Sequence, residues 1–538
     1  MKIYSKFFVI LPLLFLLSAA SPGMCGVVSS SSNLQKDELV IATGVISEIG
    51  FDPCKGWGRY GAPLFQSTLI TANQELTYDY DLATKFEVSY DGLVWTFKIR
   101  DDARFSDGVP VKASDVAFTF NTAKKIVSWF DFSLLKEAKA IDDTTVEFHL
   151  NEVSSAFPFL TARVGIVPEH AYGDGYSEKP IGSGPYVMVQ WDRKEKVIAM
   201  RNEHYYGKKP KFKKLTMLLL GTDAAYAAAK EGLADVAKVS EPLAVNKIDG
   251  YRLVTVGTID KRGIALPYRP STKEVSEKGY PIGNAVTSDI AIRRAINYGI
   301  SRERVNQDAL NGMGRPVYSN ADGFPWANPD VVIKDGDVEK AKAILEESGW
   351  VDADRDGIRE KSGVKAEFTI LYGAGDTTRQ MLALAVSEQA KTLGINIVVE
   401  GMSWDDALPR AHKDASLIGG GIVDLMEFYN HFTSSYGRDN EWINPIYYGN
   451  ETVDGYLKKA LHATSDKEAY ENARKAQWDG TTGMSVLGDA PWVWLVNNQD
   501  IYFIRDGLDI DVSTQKMHGH SSYFSILSNI EEWDYPKQ

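Results

Sequence analysis

The sequence predicts an α/β protein with strands and helices mixed along its whole length. One strand–helix–strand unit is legible outright. Residues 366–372 alternate with Phe368, Ile370 and Tyr372 on one face, Asp376 stands where a helix N-cap belongs, and residues 395–399 alternate again. Between them an apolar stripe of Leu382, Val386 and Leu393 runs to Gly394, which is placed to end the helix. That spacing implies a parallel pair joined by a right-handed crossover. Composition agrees: 44% hydrophobic and 24% charged residues are ordinary globular proportions, and 538 residues allow several domains or one large interleaved body. No tandem repeat is in view.

The chain opens on a targeting segment. Lys2 and Lys6 precede the apolar run Phe7–Ala20, about 14 residues, too short to span a bilayer and suited to the core of a signal peptide over residues 1–25. Two endings are open. Ser18-Ala19-Ala20 offers a small-residue cleavage site, whereas Cys25 followed by Ser29–Ser32 offers a lipid-modified cysteine and a flexible tether over residues 26–37. No later stretch reaches ~18 uninterrupted apolar residues. The expected address is therefore periplasmic or the outer face of the cell membrane, with the membrane engaged only through that lipid. Cys54 is then unpaired, and the core rather than a disulfide framework supplies stability.

Residues 38–43 read as a first buried strand, followed by a Gly-rich loop through Gly61. Gly56-Trp57-Gly58-Arg59-Tyr60-Gly61 fits the dinucleotide pattern G-x-G-x-x-G, but the strand ends about a dozen residues earlier, and Trp57 and Arg59 are bulky where a pyrophosphate would approach. The loop instead presents Trp57, Arg59 and Tyr60 to a cleft or to its own core; an arginine between two aromatics suits an anionic or planar ligand. Val94–Ile99 alternates as a half-exposed strand, and Asp107-Gly108 turns the chain. Residues 113–125 form a helix by pattern, with Ser114 as N-cap and Val116, Phe120 and Ala123 on one face. Residues 144–150 alternate as a further strand, and 338–348 read as a helix capped by Asp337 and stopped by Gly349. Asp352-x-Asp354-x-Asp356-Gly357 begins like a calcium loop, yet Gly363 occupies the twelfth position, where an EF-hand places its bidentate Glu. An acidic turn is the plainer reading, and a weak structural calcium site the other.

A net charge of -13 argues against nucleic acid and anionic lipid as partners. The histidines are scattered, with His518-Gly519-His520 the one close pair. H-E-x-x-H, G-x-S-x-G and G-x-x-x-x-G-K-[ST] are all missing. The 12 Trp and 26 Tyr suffice both for a core and for the walls of a binding cleft.

Several longer blocks then stand in order along the chain. Asp91–Gly108 reads DGLVWTFKIRDDARFSDG, residues 180–186 read PIGSGPY, and 201–210 read RNEHYYGKKP. Gly232–Val236, residues 292–303 (IRRAINYGISRE), 341–350 and 354–361 complete the set. Together they resemble the peptide/nickel family (family 5) of ABC-transporter extracellular solute-binding proteins over nearly all of the mature chain, with Tyr206 where that family usually has Trp.

The resemblance implies a two-lobed, periplasmic-binding-protein-like α/β fold. Residues 38–75, 180–270 and 495–538 would build lobe I, 76–179 a small inserted domain, and 271–494 lobe II. Such lobes close over a short peptide or a small metal chelate and deliver it to ABC permease subunits with their ATPases. That task needs no catalysis and no cofactor, and a monomer performs it. A nickel- or metallophore-specific receptor of the same family is one alternative. A secreted glycan or peptide hydrolase is another, and it requires two carboxylates about 5–9.5 Å apart, one with a raised pKa.

Candidate ligand residues follow from the same likeness. The family's W-x-x-D-x-x-DP-like segment, whose acid holds a peptide's amino group, falls on Gly419–Leu425, with Asp424 at the DP position, Gly for Trp and Leu for Pro. Asp424 is read equally as ligand acid or as cap of a helix starting near Leu425. Arg163 lies within about one position of the arginine that binds a chelate's carboxylates in nickel-type members, or it pairs with a structural carboxylate. The metal-contacting His of those members has no counterpart, since Tyr436-Gly437-Arg438 occupies its region. Trp404, Tyr429 and Tyr436 join the set by position, with Trp404 as cleft wall or plain core.

Overall fold

The computed structural model describes residues 37–44, 50–59, 63–73, 77–126, 130–420, 424–434, 442–516, 518 and 525–536. The leader, Cys25 and the tether to Lys36 lie outside the described residues.

The strand–helix–strand unit forms as its periodicity dictates. Glu367–Gly373 lies parallel to Asn396–Met402, with the helix Thr377–Lys391 between them. The Arg379 backbone N–H donates to the Asp376 side chain and starts the helix, while Gly394 ends it at φ 77. Phe368, Ile370 and Tyr372 are buried on one face. These strands open the principal sheet, in the order Asn396–Met402, Glu367–Gly373, Ala415–Gly420, Tyr251–Ala265, Trp492–Arg505, Val236–Val239, Glu38–Ala42, Lys214–Leu218, Lys196–Arg201, Tyr186–Asp192. Glu38–Ala42 is parallel to both its neighbours.

Two long strands run through the middle of this order. Residues 251–257 pair with 505–499, whereas residues 261–265 lie between 497–492 on one side and 420–416 on the other; the register slips between Gly257 and Lys261. Trp492 and Trp494 project from one face of their strand and stack at 4.6 Å. A side chain at Gly263 would meet the Trp494 ring at 2.8 Å and one at Gly420, on the next strand, at 3.1 Å, so Gly263 has to be bare and Gly420 leaves little room.

A separate antiparallel sheet orders Ala83–Val88, Val94–Ile99, Thr145–Leu150 and Leu135–Ala140. Phe97, Phe105, Phe120 and Phe148 form its core beneath the helix Ala113–Ala123. That helix corrects the cap expected at Ser114. Lys112 is the N-cap residue, and its backbone N–H donates to the Asp115 carboxylate at 2.8 Å, so Ser114 falls inside the first turn. The Asp91–Gly108 block is architecture here: Asp91 closes a turn onto the Leu93 N–H, Val94–Ile99 is a sheet strand, and the Ser106 N–H donates to the Gly182 carbonyl. Gly182 and Gly184 pack so closely on the chain at Leu64–Gln66 that a Cβ would come within 2.1 Å and 2.3 Å of its carbonyl oxygens. Cys54 is buried, and burial pushes its thiol up to about 12.

Candidate functional site

A cavity of about 540 Å³ lies between the helix Phe157–Arg163, the stretch at Phe130–Leu135 and the helix Leu425–Phe432. Phe130, Phe132, Phe157, Leu160, Met426 and Trp442 wall it. The first helix turns the apolar Phe157 and Leu160 to the cavity as well as Arg163. Phe428 and Phe432 sink into the core on one side of the second, which turns Met426, Glu427, Asn430 and His431 to the cavity.

Four charged groups meet at this place and neutralise one another. Arg163 Nη2 donates to Asp424 Oδ2 at 2.8 Å, Arg163 Nη1 stands 3.7 Å from Glu427, and Arg59 Nη2 stands 3.6 Å from the same carboxylate. The Arg163 guanidinium also lies over the Phe130 ring at 5.7 Å. Asp424 has a second task. Its Oδ1 accepts from the Glu427 backbone N–H at 2.8 Å and caps the helix Leu425–Phe432. The two readings of Asp424, cap and cavity acid, therefore coexist. Burial raises the Asp424 carboxyl to about 6; Arg163 opposes the rise, and Glu427 adds to it.

The structure thus brings Arg59, Arg163 and Asp424 to one cavity. Trp57 goes elsewhere. Its indole N–H donates to the Pro63 carbonyl at 2.9 Å, and its ring packs edge-on to Phe51 at 4.8 Å, within the core that includes Phe65. Trp404 stands behind the wall, edge-on to Trp442 at 5.0 Å and under the Arg379 guanidinium at 5.4 Å. Tyr429 packs on the core side of its helix. Tyr60 and Tyr436 lie outside the described residues.

Of the cavity residues, sequence reasoning singled out Arg59, Arg163 and Asp424 and passed over the rest, Glu427 and the aromatic walls included. Trp442 and Asn430 belong to no motif. His431 carries one weak signal, its place one helical turn after Glu427, and its Nδ1 bonds to the Glu427 carbonyl at 2.8 Å. Burial holds its imidazole below the ordinary range.

Other singled-out groups have structural partners. Oxygens of Asp352, Asp354 and Asp356 lie within 4.8 Å of one another, all exposed. The Lys365 ammonium sits against Asp354 and Asp356, supplying the positive charge that a cation would otherwise bring. His518 is buried between Asp500 at 2.9 Å and Gln515 at 3.2 Å; Gly519 and His520 lie outside the described residues. Between the cavity residues Ser154 and Ala156, the Ser155 N–H donates to the Leu461 carbonyl at 2.9 Å. Ser155 Oγ donates to Ala460, and His462 Nδ1 donates to Val153 at 2.6 Å.

Residues 77–440 match the family model described as "Bacterial extracellular solute-binding proteins, family 5 Middle". The chain is 31% identical over 490 residues to Protein XP55 of Streptomyces lividans, covering 87% of this chain and 85% of that protein. It is 26% identical over 498 residues to the oligopeptide-binding protein AppA of Bacillus subtilis, covering 87% and 86%. Among solved structures, NikZ from Campylobacter jejuni in complex with Ni(L-His) superposes with a TM-score of 0.75 at 22% identity, over 93% of this chain and 99% of that one. AppA from Bacillus subtilis with a nonapeptide gives 0.70 at 22% identity, over 94% and 99%. These structures share with this chain the two-lobed, mixed α/β architecture.

Proposed function

Since the chain belongs to the bacterial extracellular solute-binding proteins of family 5, a family of non-enzymatic transport receptors, we propose that it captures a short peptide or small metal chelate in the cavity at Arg163 and Asp424 and delivers it to the permease and ATPases of an ABC importer. The observation that carries this reading is the cavity itself: about 540 Å³, aromatic and aliphatic at its walls, with paired charges held at one place. Small-molecule sites span roughly 300–1,000 Å³ and combine apolar walls with a few polar groups, so this cavity has room for a ligand of a few residues.

The proposed lobes are residues 38–75, 180–270 and 495–538 against 271–494, with 76–179 as the small domain. The long strand Tyr251–Ala265, which ends just before the proposed crossing at 270–271 and slips register between Gly257 and Lys261, supports that division. In the closed form the small domain is held to the second lobe at Ser155 and His462, and the ligand is cut off from water. Export precedes this role, with the mature chain either released or held by lipid at Cys25.

A hydrolase would also use a carboxylic acid of raised pKa. Asp424 has one, but Oδ2 accepts from Arg163 and Oδ1 from the helix N-terminus, so both oxygens are committed to holding structure. Mass spectrometry and metal analysis of what co-purifies with the protein test the proposal, followed by thermal shift with short peptides and with nickel chelates. A ligand that binds only the native state must raise the melting temperature. If neither class raises it, the proposal fails.

A further inference from the structure

The helix Leu425–Phe432 offers the cavity two neutral polar side chains, next to charges that are already paired. The Glu427 carbonyl can only accept, so the proton of the neutral His431 ring sits on Nδ1 and Nε2 carries a lone pair. Burial favours that neutral form. No described residue donates to Nε2. Its neighbour Asn430 is 6% exposed and lines the same cavity, yet its Oδ1 has no hydrogen-bond partner among the described residues. A buried carbonyl oxygen with nothing to accept from is destabilising, and native proteins keep few of them.

Resting on the reading of this cavity as the ligand site, we propose that His431 and Asn430 select ligands that present N–H groups, as the amino end of a short peptide does. The charges of Arg59, Glu427, Arg163 and Asp424 cancel among themselves, so net charge does little of the sorting. Asn430 Oδ1 and the ion-paired Arg163 Nη1 are the cavity atoms buried without a hydrogen-bond partner among the described residues, and the His431 Nε2 lone pair adds a second acceptor, so a ligand without donors leaves both acceptors unmet. His431 and Asn430 are thus specificity residues distinct from the ion-paired set.

The test separates hydrogen-bond donation from charge. A panel of unblocked di- and tripeptides is screened against the wild-type chain, and the tightest binder is compared by calorimetry with its N,N,N-trimethylated form, which keeps the positive charge and has no N–H at that end. The wild type is expected to bind the trimethylated peptide at least about tenfold more weakly, the equivalent of losing one or two hydrogen bonds. In His431→Phe the gap shrinks to less than about threefold. His431→Gln, which restores a neutral acceptor, recovers part of it. Melting of the unliganded variants checks that each is folded, and Asn430→Leu provides an independent second variant. An unchanged gap in both His431→Phe and Asn430→Leu, or no gap in the wild type, overturns the inference while leaving peptide capture standing. Binding of Ni(L-His) with no peptide bound overturns the inference together with the peptide reading, and binding of no probe overturns the proposed site as a whole.

Discussion

Replacing Asp424 with asparagine separates burial from ion pairing at the centre of the cavity. Asp424 is 4% exposed and sits 2.8 Å from Arg163, yet its carboxyl is pushed up from 3.8 to about 6, because burial outweighs the arginine's attraction. A carboxyl that titrates near 3.8 unfolded and about 6 folded binds more protons in the folded state between those values. Its stabilising contribution is therefore full below the lower value and is lost as pH rises through the upper one. At ~1.36 kcal/mol per pKa unit the whole swing is at most ~3 kcal/mol. Asparagine mimics the neutral form and caps a helix about as well as aspartate, so the bond to the Glu427 N–H survives. Asp424→Asn should then be more stable than the wild type by ~1–3 kcal/mol at neutral pH, with the difference vanishing as pH falls below the unfolded-state value. Urea denaturation followed by tryptophan fluorescence across that range measures both quantities. A variant less stable at neutral pH, or a difference that does not change with pH, would mean that the Arg163 pair outweighs the burial cost.

Three more outcomes are expected. Lys261 is 1% exposed, with its ammonium 4.0 Å over the Phe324 ring and Asp260, Asp322 and Arg315 as the charges around it; burial lowers it from 10.5 to about 7. A lysine lowered on folding costs stability below its folded value and costs progressively less as pH rises toward its unfolded one, so Lys261→Met should gain up to ~4 kcal/mol at neutral pH and much less at alkaline pH. Urea midpoints at the two pH values decide it, and an equal gain at both refutes the argument. Ser155→Ala deletes the hydroxyl that bonds the Ala460 and Leu461 carbonyls and should weaken peptide binding about fivefold, mainly through faster release, as seen by calorimetry and stopped flow. Because Lys365 already neutralises Asp354 and Asp356, calcium should leave the melting temperature of the wild type unchanged and raise that of Lys365→Met.

What could be read from the chain beforehand depended on how local the physics is. Asp376, the Phe368–Ile370–Tyr372 face and Gly394 each act within a few residues, and the unit they build is present as spelled out. Ser114 shows where this breaks down at close range: a serine is a good cap in isolation, but Asp115 reaches back to the Lys112 N–H and moves the start of the helix. Trp57 shows the limit of a loop pattern, since an indole among glycines points to cleft and core alike. The Pro63 carbonyl six residues on decides for the core. Arg163 and Asp424 were legible one at a time through family likeness, but not their mutual pairing, which joins positions 261 residues apart. His431 was barely legible: its place one helical turn after Glu427 is the single hint, and the bond from its Nδ1 to the Glu427 carbonyl, which sets the tautomer, is written in no motif.

The paired strands Tyr251–Ala265 and Trp492–Arg505 have a mechanical consequence. Laced by backbone hydrogen bonds over residues 251–257 and 261–265, they cannot flex independently, so the lobes proposed above would turn about them like a door leaf, on essentially one axis. A single axis means that any solute is approached along the same arc. Under the proposed function, size would register as the angle at which the door stops, and a permease sensing that angle would tell a full receptor from an overfilled one without touching the cargo.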